Sequence, residues 1–356
     1  MNQQGQWSSQ DWTWVHWTTP ACLAGVTEAR FVAKGRTADT MNLKWNRWVC
    51  AGAGLRAGTA GWVALLLAGC ASGPVSPEDR MRSLRPLYAI SAPTLDELAA
   101  FESLTQGISK AGRVEQHNGV TFRGVTIDDR LCLLFVSGMS VVNAAMTTQA
   151  ALDRYPITHV ILLGAAGGVN PALESGDVVI PENWANHNEA AYLNPGSGGG
   201  WEIPLGGVSG LANFGMIFPE TVAVVRSGSG GPQLMPVFEA DRGLVAAATK
   251  VASELSAPTS AFRSPKVVSR GNGVSGPAFV ANRDYRVWLS QVWQAEVVDL
   301  ESAAVAQVCW ANRVPFVSVR AVTGLAGGGV PLTVPAEPPI NNAARVVREM
   351  LRNLPN

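Results

Sequence analysis

The chain has little that would suit a charged partner. It carries 27 Lys and Arg against 27 Asp and Glu, a formal net charge of zero, and only 15% charged residues. A protein that lives on nucleic acid needs clustered Lys and Arg against phosphates, so that class is excluded. Cysteine is sparse as well. The five Cys show no CxxC and no Cys/His spacing, so no zinc site, other metal site or disulfide framework is called for. No fixed-period repeat is visible. What is there is globular: 47% of the residues are apolar, far from the signature of disorder.

Tryptophan is unevenly spread. Of 12 Trp, seven (Trp7, Trp12, Trp14, Trp17, Trp45, Trp48 and Trp62) fall in the first 70 residues. Within that stretch Met41 is followed by Lys44, Arg47 and Arg56, then by an uncharged run that ends Leu67-Ala68-Gly69-Cys70. A basic start, an apolar stretch and small residues before a cut are the layout of a secretory signal. The ending resembles the bacterial lipobox, which implies lipidation at Cys70, a lipid anchor and a place on the periplasmic face of a membrane, outer rather than inner. The competing reading is an uncleaved anchor, but the run is shorter than the ~20 residues a spanning helix needs. If Met41 is the start, residues 1–40 are a non-native or disordered leader. Six basic and three acidic residues precede Cys70, leaving 21 basic against 24 acidic ones, so the mature chain is mildly acidic. Gly52-Ala53-Gly54-Leu55-Arg56-Ala57 fits G-x-G-x-x-A. It lies inside the signal and outside any βαβ unit, which removes it as a dinucleotide site.

Residues 71–86 read as a tether, and 87–356 as the folded domain. Strand and helix signals alternate from there, which predicts an α/β layered domain. Strands are expected at Leu87–Ser91, Val120–Ile127, Leu131–Ser137, His159–Leu163, Asp177–Ile180, Thr221–Arg226, Lys266–Arg270, Glu296–Val298 and Phe316–Val322. Helices are expected at Leu95–Leu104, Val141–Tyr155, Leu244–Leu255, Tyr285–Val292, Ser302–Ala311 and Asn341–Leu354. The Gly-rich stretch 193–218 reads as a long irregular loop, of the kind used for lids and binding.

Ligands in open α/β sheets bind beyond the carboxyl ends of strands. Three strand ends stand out. One runs into Gly164-Ala165-Ala166-Gly167-Gly168, where small residues allow either backbone approach to a ligand oxygen or a tight packed turn. The second reads Val297-Val298-Asp299-Leu300-Glu301-Ser302. Its carboxylates either both cap the next helix, or Asp299 caps it and Glu301 faces a cleft. The third runs into Thr323-Gly324-Leu325-Ala326-Gly327.

The stretches LLGAAGGVNPALESGDVVIPE (162–182), GNGVSGPAFVANR (271–283) and VVDLESAAVAQVCWANRVPFVSVRAVTGLAGG (297–328) together resemble the nucleoside phosphorylase and nucleosidase superfamily. The resemblance implies a three-layer α/β/α sandwich with a mixed central sheet, without a cofactor. It implies N-ribosyl cleavage of a nucleoside through an oxocarbenium-like sugar, akin to glycoside hydrolysis. A nucleoside or purine base is the partner implied, and a homo-oligomer the assembly. Glu301 matches the acid that grips the ribose hydroxyls, with Leu300 packing on the sugar. Phe279 matches the aromatic at the base, with Ser275 and Gly276 before it. Gly164, Ala165, Ala166 and Gly167 match the anion or water loop. Glu97 matches the acid that activates water, with Asp96 a rival one residue away and an exposed helix acid as the plain alternative.

The departures are specific. Thr323-Gly324 stands where active purine enzymes have Ser-Asp, so Gly324 removes the general acid at the base. Ala165 replaces a hydroxyl residue, and Leu162 stands where a phosphate-binding Arg would be, which argues against phosphorolysis. A relative that binds nucleosides or stores nitrogen without catalysis is the alternative function. His187 and Trp184 lie near a pocket-lining segment and are structural residues or site residues. Cys132 and Cys309 read as core thiols or, in an oxidising compartment, as a disulfide pair.

Overall fold

A computed structural model describes residues 85–252, 265–329 and 339–355. The leader, the signal with Cys70 and the tether up to residue 84 lie outside the described residues.

The polypeptide opens with β1 (Leu87–Ala92) and α1 (Leu95–Thr105), then a three-stranded meander of β2 (Ser109–His117), β3 (Val120–Ile127) and β4 (Arg130–Val136). Helix α2 (Val141–Arg154) leads to β5 (His159–Gly168), β6 (Val178–Val179) and β7 (Asn183–Asn186). Strands β8 (Ala190–Tyr192) and β9 (Ile217–Pro219) pair with each other, as do β10 (Val222–Val225) and β11 (Pro232–Met235). Then come β12 (Phe238–Glu239), α3 (Arg242–Ala252), β13 (Val267–Val268), β14 (Asn272–Ser275), α4 (Arg283–Trp293), β15 (Ala295–Asp299), α5 (Ser302–Ala311), β16 (Phe316–Leu325) and α6 (Pro339–Asn353).

The main sheet is mixed. Its order runs β12-β7-β14-β15-β5-β1-β4-β3-β2, with β16 paired to β5 and β6, and β13 paired to β6. Strand β1 is parallel to β4 and β5, while β15 is antiparallel to β5. Successive side chains of a strand point to opposite faces, and the core divides accordingly. Ile90, Ile161 and Val319 join α1, α3 and α6 in one cluster. Ala89, Val160 and Leu162 join α2 and α5 in the other. The central strands are buried on both faces, which is why His159–Leu163 reads as an unbroken apolar run. The three-layer sandwich implied by the resemblance is the observed fold.

Local chemistry explains the elements. Thr94-Leu95-Asp96-Glu97 is a capping box: Thr94 accepts from the Glu97 amide, and Glu97 accepts from the Thr94 amide. Asp128 and Asp129 join β3 to β4 with φ of 46° and 64°, the two-residue turn that suits twisted strands.

Several expectations need correction. Strands β2, β7, β8, β9, β11, β12 and β14 are not among those expected from the sequence. The signal for β2 is Asn118-Gly119, which turns it into β3 with φ of 50° and 78°. Strand β5 does not stop at Leu163. It continues to Gly168, because β16 pairs with it along its length, from Val160 opposite Phe316 to Gly168 opposite Leu325. The glycine stretch is therefore strand, not loop. The strand expected at Thr221–Arg226 forms, but in a separate ladder with β11. Cys132 and Cys309 are both free and sit in different core clusters on opposite faces of the sheet, so they form no disulfide.

Candidate active site

Two buried carboxylates from distant parts of the chain come near each other past the carboxyl ends of β1 and β15, beside Ala165 within β5. Glu97, on the first turn of α1, is 7% exposed, while Asp96 is exposed. Its Oε2 accepts from the Thr94 amide (3.1 Å) and hydroxyl (2.8 Å), and its Oε1 accepts from the Ala165 amide at 2.8 Å. A carboxylate offers about four lone-pair positions, so one remains for a further donor. The plain reading of Glu97 as an exposed helix acid does not hold. Capping alone would leave it at the surface; the bond to β5 draws it inward.

Glu301 begins α5 and is 4% exposed. Its Oε1 accepts from the Ser140 amide at 3.0 Å. Ser140 adopts φ of 75°, a strained conformation for a residue with a side chain. That strain turns its N–H toward Glu301. Burial pushes the Glu301 carboxyl up to about 7, opposed by the Arg320 guanidinium and reinforced by Asp299.

Asp299 takes the capping role foreseen for it. Its Oδ1 accepts from the Glu301 and Ser302 amides, both at 3.1 Å, and from the Ser275 hydroxyl. Ser275 in turn accepts from the Ala303 amide at 2.8 Å. Strand β14, helix α5 and the acid are thus tied at one point.

Sequence reasoning missed Arg320. It lies on β16, is fully buried, and stands 2.8 Å from Asp299 and 3.7 Å from Glu301. Its Nε–H is directed at the hydroxyls of Ser302 (2.9 Å) and Ser318 (3.0 Å), so the contact with Asp299 is a close ion pair rather than an aligned hydrogen bond. A buried arginine is tolerated when paired and fully hydrogen-bonded. The available signal was one cation inside an apolar strand, Val317-Ser318-Val319-Arg320-Ala321. Gly164 makes room for it: a Cβ there would lie 2.1 Å from Arg320 Nη1.

The remaining expected residues fall around this cluster. Ala165 and Ala166 lie within β5 opposite Ala321 and Val322, and the Thr323 hydroxyl reaches toward the Ala166 carbonyl at 3.4 Å. Gly324 pairs with Gly167 across β16 and β5. Leu300 is half-buried between the two acids in sequence, and Phe279, four residues past the end of β14, is 50% exposed. Trp184 is a core residue of β7, its ring lying over Gly273, where a Cβ would be 2.5 Å away. His187 is fully buried just past β7 and hydrogen-bonds Tyr285 through Nδ1 at 2.9 Å. A separate cavity of about 710 Å³ between α3 and the β7–β12 edge, lined by Glu182, Glu239, Arg242 and Lys250, shares no residue with the carboxylate cluster.

Residues 88–353 match the phosphorylase superfamily. The chain belongs to that superfamily. It is an enzyme fold of this family, as the motifs implied. The 5′-methylthioadenosine/S-adenosylhomocysteine nucleosidase of Tolumonas auensis is 30% identical over 228 residues, 62% of this chain and 81% of that protein. The nucleosidase of the same name from Bacillus cytotoxicus is 30% identical over 217 residues, 60% of this chain and 77% of its own. Among solved structures, the futalosine hydrolase of Helicobacter pylori aligns with a TM-score of 0.57 at 19% identity, covering 76% of this chain and 98% of its own. A 5′-methylthioadenosine/S-adenosylhomocysteine nucleosidase from Colwellia psychrerythraea, solved with adenine, aligns with a TM-score of 0.56 at 24% identity, covering 76% and 97%. These structural likenesses establish the superfamily's sandwich in this chain.

Proposed function

We propose that this superfamily member hydrolyses the N-glycosidic bond of a purine ribonucleoside. The observation that carries the reading is the convergence of Glu97 and Glu301, two buried carboxylates held by strained or capped backbone, with Arg320 behind them. The curated relatives above, named for nucleosidase activity, support it.

In this reading Glu301 accepts from the ribose hydroxyls, and the lone-pair position still open on Glu97 Oε1 receives a proton from water. That water attacks C1′ as the C1′–N bond breaks, and the bond's electron pair leaves with the base. The sugar passes through an oxocarbenium-like state that nearby carboxylates stabilise. Phe279 offers a face to the base. No acid stands in residues 323–329, so the chain supplies no carboxyl there to protonate the leaving base. That one observation favours a second reading, a relative that binds nucleosides without cleaving them.

The test is incubation with 5′-methylthioadenosine and unmodified purine nucleosides, with and without phosphate, following free base. Release of base without a phosphate requirement supports hydrolysis. Binding with no release at all replaces it with the second reading.

We also propose that the mature chain begins at a lipidated Cys70 and works at the periplasmic face of a membrane. The described fold starts at Arg85 on the amino end of β1, opposite the carboxyl end that carries the acids. A homo-oligomer belongs to the same reading; exposed Leu95, Met139, Val142 and Met146, which follow the carboxyl ends of β1 and β4, support it, and light scattering of the purified protein tests it.

A further inference from the structure

We infer that Tyr285 is a positioning residue that transmits the placement of loop 193–218 to the turn Ser275–Gly276 through His187. The inference rests on the reading of that turn as part of a purine site.

The loop end of the chain of contacts is aromatic. Phe214 sets its edge on Tyr285, with ring centroids 5.0 Å apart at 85°, and lies 5.9 Å from Trp288. Trp288 donates its indole N–H to the Ala212 carbonyl at 2.9 Å. The loop is therefore plugged into α4 by packing and by one partly buried hydrogen bond. Tyr285 then reaches across to His187 Nδ1 at 2.9 Å.

The far end is the turn itself. The His187 amide donates to the Ser275 carbonyl at 3.0 Å, and the Gly276 amide donates to the Asp299 carbonyl at 3.3 Å. His187 Nε2 and Asn188 Oδ1 both press on Gly276: a Cβ there would lie 2.7 Å from the first and 2.0 Å from the second. Only glycine lets the imidazole rest directly on the turn. A shift of the ring therefore moves the backbone that leads to Phe279.

The tautomer follows from the neighbours. Burial lowers His187 to about 4 and raises the Tyr285 hydroxyl, so the ring is neutral and the phenol keeps its proton. Among the described residues His187 Nε2 and Asn188 Oδ1 have no hydrogen-bond partner. The Tyr285 hydroxyl on Nδ1 therefore holds the imidazole in place and sets its tautomer.

The experiment uses the full chain and three variants. Tyr285→Phe removes the hydroxyl and keeps the ring that Phe214 and Trp288 pack on. Phe214→Ala removes the loop's plug, and the third variant combines both. Adenine affinity and the KM for 5′-methylthioadenosine are expected to weaken roughly fivefold or more in each single variant, the size of one buried hydrogen bond, with kcat moved less. The double variant is expected to be no worse than the poorer single one. Unchanged affinity and KM in Tyr285→Phe, or simple additivity, would overturn the relay. The ¹⁵N signals of His187, assigned by their loss in His187→Asn, give a readout independent of substrate. They are expected to show one fixed tautomer that both single variants disturb. If the wild type neither binds adenine nor releases it, the nucleosidase reading fails. The relay then stands if Phe214→Ala shifts the His187 signals, and falls if it does not.

Discussion

Glu97 and Glu301 are both buried acids, but their surroundings set them different tasks. Glu97 accepts three hydrogen bonds from the protein and keeps one lone-pair position. Glu97→Gln should lower the rate of base release by about 10²-fold or more, the scale of a general base, while adenine binding changes little. Progress curves of base release and an adenine titration separate the two effects. Glu301 sits against one amide and a distant guanidinium, and its carboxyl titrates near neutrality. Its pKa is raised on folding from 4.5 to about 7, so the folded state holds the proton more tightly than the unfolded state between those values. Stability contributed by this group is present below about pH 4.5 and is lost as pH rises through about 7. Glu301→Gln should remove that downward slope in a urea-denaturation series and abolish ribose-dependent binding. Nucleoside binding by the wild type should strengthen as pH rises through the same window, because the ionised form is the better acceptor. Gly324→Asp places a carboxyl where the base would leave. A rise in rate is the outcome that makes the missing acid the limiting feature; an unchanged rate assigns the limit elsewhere.

Strand β5 and strand β16 work as a pair. Their register puts Gly164 opposite Arg320 and Gly167 opposite Gly324, so the small residues of one strand accommodate the functional residues of the other. Gly164→Ala would drive a methyl group into the guanidinium, which is held by two acids and two serines. Displacing a buried charge from its partners costs about 3–5 kcal/mol, more than ordinary overpacking. The expected result is a Tm lower by about 6–20 °C, or failure to accumulate folded protein. Gly168→Ala should be milder, since its Cβ would meet side-chain carbons of Leu325 and Val322 at 3.1 and 3.2 Å and the Gly324 carbonyl at an ordinary 3.5 Å. Near-equal effects of the two substitutions would refute the view that Arg320 sets the glycine requirement. The element boundaries legible in the sequence were those with a local cause, such as α5 at Ser302–Ala311 after Asp299. The short strands β7 and β14 were not legible. Their four residues carry mixed polarity, and their strand form comes from neighbours on both sides.

For the whole molecule, the sheet order assembles the site from segments far apart in the chain. The loop 193–218, the turn at Gly276 and the pair of acids adjoin only because β7, β14 and β15 lie side by side with β5 next in line. The placement of a lipid at Cys70 is a property at this scale too. Cys70→Ala should move the protein from the membrane fraction to the soluble one without changing base release, which fractionation and assay of both fractions would show. Retention in the membrane by Cys70→Ala would mark an uncleaved anchor instead. The sequence by itself determined the alternation of strands and helices and, through strand-end motifs that resemble the superfamily, the family and the three-layer fold it implies, because periodicity and such motifs are written in short stretches. Only the tertiary structure decided that Glu97 is buried, that Gly164 of β5 makes room for Arg320, and that His187 rests on Gly276. Those outcomes depend on contacts between residues tens to hundreds of positions apart, and burial and hydrogen-bond partners are properties of the assembled sheet rather than of any stretch of chain.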